Sequence, residues 1–131
     1  VFVAISGQTG SATKIGSICS ATPGDPPKEH AERKWLDSPG NMEKLCRVLK
    51  DYKREGADLS AVQVEIDLSA EICPACLQNV YPILRQRMIS WDQDFRQVKI
   101  YVFLARNNYA RYYEVTSGGS VVGPSACPPT R

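Results

Sequence analysis

Histidine is almost absent from this chain: His30 is the only one. A second Cys-x-x-Cys pair and any His-x-x-x-His pair are also missing, so Cys73 and Cys76 have no partner pair of the kind that closes a structural zinc site. No apolar run approaches the length of a membrane span. Val1 to Gly7 lacks the charged lead and long apolar core of a signal peptide. The chain begins at Val1 and not at Met, so it is expected to be one domain cut from a longer polypeptide. Charge bias is weak as well. A net charge of +2 and a pI near 8.3 permit an anionic partner without demanding one. Internal repeats and low-complexity segments are absent, and the five cysteines, an odd number, do not fit a pure disulfide framework.

What is present suits a single domain over residues 1–131. The length is enough for a core without disulfide staples, and 43% apolar with 23% charged residues is ordinary for a globular chain. Val1 to Ser6 reads as a buried strand, and Lys14 to Ser20 returns as its hairpin partner. A proline-rich loop ends at Pro27, which can start a helix that stops near Asp37. Asn41 to Glu55 forms a second helix with Met42, Leu45, Leu49 and Tyr52 on one face, Asn41 as its cap and Gly56 at its end. Ala61 to Ser69 alternates as a half-buried strand should. Cys73 to Ser90 is helical with an inward stripe of Leu77, Val80, Leu84 and Met88, and Pro82 must kink or split it. Val98 to Ala105 is apolar enough for a central strand covered on both faces. Tyr112 to Thr116 returns beside it, because the intervening link is too short for a helical crossover. The tail from Ser117 is expected to be irregular. The whole predicts a three-layer α/β fold around a mixed five-stranded sheet whose last two strands are antiparallel.

The chemistry lies in two short segments. In Cys73-Pro74-Ala75-Cys76, proline opens a helix, so both sulfurs lie at its positive end, where thiolate is favoured over thiol. Thiolate binds zinc. With His30 the pair makes three protein ligands and leaves a fourth position for water, the arrangement of a catalytic zinc. Glu32 stands two residues after His30. Positions i and i+2 converge only at a helix start, and Pro26-Pro27 puts them there. Glu32 is then the group that takes a proton from zinc-bound water and delivers it to the substrate.

His30-Ala31-Glu32 followed by Cys73-Pro74-Ala75-Cys76 resembles the HxE…PCxxC signature of zinc-dependent nucleobase deaminases. The order strand, strand, helix, strand, helix, strand, strand is similar to the cytidine deaminase-like fold over nearly the whole chain. The resemblance implies a Zn2+ cofactor held by His30, Cys73 and Cys76, and deamination of cytosine with Glu32 as proton shuttle. Two departures stand out: Ile72 occupies the place of the family's proline, and an extra helix lies between Arg33 and Ile72. Within the superfamily the chain is most similar to deaminase toxin domains at the C-terminal ends of secreted bacterial toxins. That implies a monomer that deaminates nucleic acid, DNA first, in the cytoplasm of a target cell, with a cognate immunity protein as partner and no membrane association.

Other readings stand beside this one. A free nucleoside or nucleotide deaminase uses the same motifs. A non-enzymatic zinc module needs a fourth protein ligand, for which Cys46 is the nearest candidate. A redox role for Cys73 and Cys76 lacks the βαβ start of a thioredoxin-like motif. Cys46 otherwise reads as buried packing, and pairing of Cys19 with Cys127 stays open. Lys99, Arg106, Tyr109 and Arg111 are candidate nucleic-acid contacts, with Tyr112, Tyr113, Arg131, Arg85 and Arg87 nearby; an ordinary polar surface with core aromatics explains them equally well. Trp35 and Trp91 read as packing.

Overall fold

The computed structural model describes residues 2–6, 12–17, 31–68, 78–104 and 111–125. Strands β1 (Phe2–Ser6) and β2 (Ala12–Ser17) pair antiparallel. Helices α1 (Ala31–Asp37) and α2 (Pro39–Arg54) follow, and then β3 (Gln63–Leu68). Helix α3 (Tyr81–Trp91) leads to β4 (Lys99–Leu104), β5 (Tyr112–Val115) and β6 (Val121–Ser125). The sheet order is β2-β1-β3-β4-β5-β6. Only β3 and β4 run parallel; the other neighbours are antiparallel. The α/β mixed sheet expected from the sequence is therefore present, with its five strands and one more.

Period-two patterning orients β3. Val64, Ile66 and Leu68 are buried, and Gln63, Glu65 and Asp67 alternate with them at intermediate exposure. Strand β4 is buried at every position after Lys99, as its unbroken apolar run requires. Val3, Ile5, Val64, Ile66, Leu68, Ile100, Val102, Leu104 and Val115 form one face of the sheet and share a core with all three helices. On the opposite face Tyr112 stacks edge-on to Tyr101, with ring centroids 5.6 Å apart, and lies 6.1 Å from Phe103. Every described helix belongs to the first face. On the opposite face Ala4 and Phe103 are nevertheless buried, as a sheet covered on both faces requires.

Helix α2 begins two residues earlier than its apolar stripe suggests. Ser38 is the cap, accepting from the Asn41 backbone N–H, and Pro39 occupies the first turn. Asn41 does not cap; its side-chain amide donates to the Trp35 carbonyl and ties α1 to α2. Met42, Leu45, Leu49 and Tyr52 are all buried as expected, each apolar side chain contributing about 1.5–3 kcal/mol. The helix ends in a Schellman turn. Ala57 N–H reaches the Tyr52 carbonyl, Gly56 N–H reaches that of Lys53, and Gly56 takes φ +79°.

Pro82 acts as expected of a helix breaker. Residues 78–79 are helical, Val80 is a turn, and α3 restarts at Tyr81 with Pro82 in its first turn. Val80, Leu84 and Met88 are buried on the expected stripe, while Leu77 lies outside the described residues.

The tail from Ser117 corrects the sequence reading. A turn closed by Thr116 N–H to Ser120 C=O at 2.8 Å leads into β6, which pairs with β5. Pro124 is tolerated there because β6 is the edge strand and one side of its backbone needs no partner.

Candidate active site

Glu32 lies in the first turn of α1 and is only 8% exposed. Burying a carboxylate is costly unless a donor meets it. Tyr81, in the first turn of α3, meets it: its hydroxyl donates to Glu32 Oε2 at 3.2 Å. Oε1 has no hydrogen bond to a described residue. Tyr81 is itself 1% exposed, so its position is set by the core and not by solvent.

Two further contacts fasten the same helices. Arg33 Nη1 donates to the Asn79 carbonyl at 3.1 Å, and its Nε pairs with Asp37 at 3.0 Å. Arg87 Nη1 donates to the Leu36 carbonyl at 2.8 Å and so covers the last turn of α1. The start of α1 is thus held on the start of α3, and its end on the later turns of α3. Trp35, three residues beyond Glu32 and 1% exposed, packs as expected. Its indole N–H is buried without a partner among the described residues.

His30, Cys73 and Cys76 lie outside the described residues, as do Arg106, Tyr109, Cys19, Cys127 and Arg131. Among the described residues no group of three His, Cys, Asp or Glu side chains is placed to hold a metal ion. No described helix is long and apolar enough to cross a membrane. Cys46 is half-buried on α2, not fully buried, and lines a cavity of about 450 Å³ with Met42 and Trp91.

Lys99 and Arg111 are both exposed. Lys99 opens β4, and the Arg111 carbonyl accepts from Leu104 N–H at the other end of that strand. At about 3.3 Å per residue they stand roughly 16 Å apart, so the structure does not bring them together. Tyr113 packs against the core and Tyr112 against Tyr101 and Phe103, which gives both the packing role.

Arg85 is not a surface cation. It is 2% exposed, and its guanidinium donates to the carbonyls of Thr116, Phe95, Arg96 and Val115 at 3.1, 3.1, 3.4 and 2.8 Å. Burial lowers its pKa to about 10, and the Glu114 carboxylate opposes that shift. Arg87 is likewise committed to a backbone carbonyl. Nothing local in the sequence marks Arg85 or Tyr81, because their partners come from distant elements.

Comparison of the chain with protein-family models, curated proteins and solved structures found no match.

Proposed function

We propose that the chain is a zinc-dependent cytosine deaminase acting on nucleic acid, DNA first, as a toxin domain delivered to a target cell. The observation that carries this reading is the buried Glu32 carboxylate, held at the start of α1 by Tyr81 at the start of the helix beyond the Cys-x-x-Cys segment. A buried acid costs stability unless a donor meets it, and a carboxylate held in place by one donor keeps its other oxygen for proton transfer. The residues flanking the two half-motifs also meet: Glu32 and Arg33 follow His30, Asn79 and Tyr81 follow Cys76, and each pair is joined by a hydrogen bond.

His30, Cys73 and Cys76 would hold the zinc, a donor set of one imidazole and two thiolates that suits this metal. When bound, zinc lowers the pKa of a coordinated water to about 7. The reaction replaces the C4 amino group of cytosine with oxygen from water and releases ammonia. Glu32 carries the protons. Tyr81 occupies Oε2, which leaves Oε1 to carry one proton from the attacking water to the ring nitrogen and a second from the new C4 hydroxyl to the departing amine, which leaves as ammonia. Acting on a polymer requires a flipped or single-stranded base.

The test is to sequence nucleic acid from cells expressing the domain beside a Glu32→Ala control. A C-to-T excess confined to the active chain supports the reading and names the polymer. An equal frequency in both sinks it, and deamination of free cytidine alone replaces it with a nucleoside deaminase.

A further inference from the structure

Away from Glu32, a cavity of about 370 Å³ opens where β4 begins and β5 ends. Arg85, Arg96, Lys99 and Glu114 line it, with Thr116 and Ser117 beside them. Three cations therefore face one carboxylate. Arg96 and Lys99 are exposed and make no ion pair with a described residue. Arg85 differs from both: it is buried and fixed by four carbonyls, which leaves a single guanidinium N–H uncommitted.

We infer that this cavity is a binding site for a phosphate group. A preordered guanidinium loses little entropy when it adds one charge-assisted hydrogen bond. Arg96 and Lys99 supply mobile charge on either side, and the hydroxyls of Thr116 and Ser117 can donate to phosphate oxygens. Burial has already removed water from Arg85, so a tetrahedral anion restores the solvation that the guanidinium has lost. Glu114 limits the affinity by repelling the anion. Nothing at this cavity depends on the chemistry at Glu32.

The test is a titration of the ¹⁵N-labelled chain at constant ionic strength, first with inorganic phosphate and then with a short oligothymidine. The signals followed are the Arg85 Nε–H and the amides of Thr116 and Ser117. Saturable shifts with inorganic phosphate assign a free phosphate-bearing ligand; shifts with the oligonucleotide alone assign the backbone of a strand. The variant Arg96→Gln/Lys99→Gln changes only exposed side chains and should bind at least about tenfold more weakly. Glu114→Gln should bind more tightly. Absence of shifts with both probes overturns the site, and so do shifts that the double variant leaves unchanged.

Discussion

The Tyr81 hydroxyl donates to Glu32 Oε2 at 3.2 Å across 49 residues of sequence, and both side chains are buried. The phenol is therefore the positioning residue for the carboxylate. Tyr81→Phe removes the donor and leaves the acid without a hydrogen bond to a described residue. It should destabilise the chain by about 1–3 kcal/mol in urea unfolding. In a Glu32→Ala background the same change should cost much less, because the two effects belong to one interaction. A coupling energy below about 0.5 kcal/mol would show the contact to be energetically idle.

Glu32→Gln separates stability from chemistry. Glutamine keeps an oxygen for Tyr81 to donate to, so unfolding should shift by under about 1 kcal/mol or move in the stabilising direction, since a buried charge is removed. Deamination should nevertheless be lost, because an amide cannot carry the proton. The paired measurements are a denaturation midpoint and a C-to-T count. Full activity in the amide variant would remove Glu32 from the mechanism.

Arg85→Lys tests whether the buried guanidinium is structural. An ammonium cannot reach four carbonyls drawn from the segment after α3 and from the end of β5. A loss of about 3 kcal/mol is expected. The pH dependence has a definite sign. Burial lowers the folded pKa to about 10, below that of the unfolded chain, so both are protonated below about 10 and the contribution of Arg85 is flat there. Above about 10, until the unfolded chain also loses its proton, the unfolded chain holds more protons at this group, so its contribution makes stability rise with pH. A wild-type-minus-variant difference that varied across neutral pH would contradict this.

Those sites show what was legible in the sequence. The stripe of Met42, Leu45, Leu49 and Tyr52 and the alternation of β3 follow from local periodicity, and both are buried as that periodicity requires. Glu32 stood out in the sequence as a candidate through its spacing from His30, but its burial and its hydrogen bond did not. Tyr81 was not, because a phenol followed by proline reads only as a helix start until α1 is brought against it. Arg85 reads as a surface cation for the same reason: its carbonyl partners lie on segments 10 to 31 residues away. Strand β6 was hidden by Gly123-Pro124, a breaker pair that an edge strand accommodates. The cap of α2 shifted from Asn41 to Ser38 because proline is favoured in a first turn.

Acid should weaken the junction of α2 with the segment after α3. Asp92 is held below the ordinary carboxylate range, first by the hydrogen bond from Lys53 and then by the backbone N–H of Asp94. Its folded pKa is depressed, so its contribution is present above about pH 4 and lost as pH falls through the folded value. Lys53 is raised by the same pairing with Asp92 and Asp94 and stays charged throughout that range. Thermal unfolding followed from pH 6 downward should show a shallower acid limb in Asp92→Asn than in the wild type. Identical slopes would mean that the pair is too well solvated to matter.

Two glycines with positive φ separate backbone strain from crowding. Gly56 has φ +79° and open space where a Cβ would stand, so Gly56→Ala should cost only the left-handed backbone penalty, about 1 kcal/mol. Gly123 has φ +143°, and a Cβ there would stand 2.8 Å from the Tyr112 carbonyl oxygen and 3.0 Å from the Tyr113 ring. Those are atoms of the neighbouring strand β5, and the backbone cannot yield without breaking the β5–β6 pairing. Gly123→Ala should therefore cost more than Gly56→Ala and should lose its protection locally. Amide exchange should quicken along β6 and the facing side of β5, while β3 and the parallel β4 stay protected. Equal costs for the two variants, or exchange that quickens across the whole sheet at once, would show that β6 is no separate edge but part of the main cooperative unit.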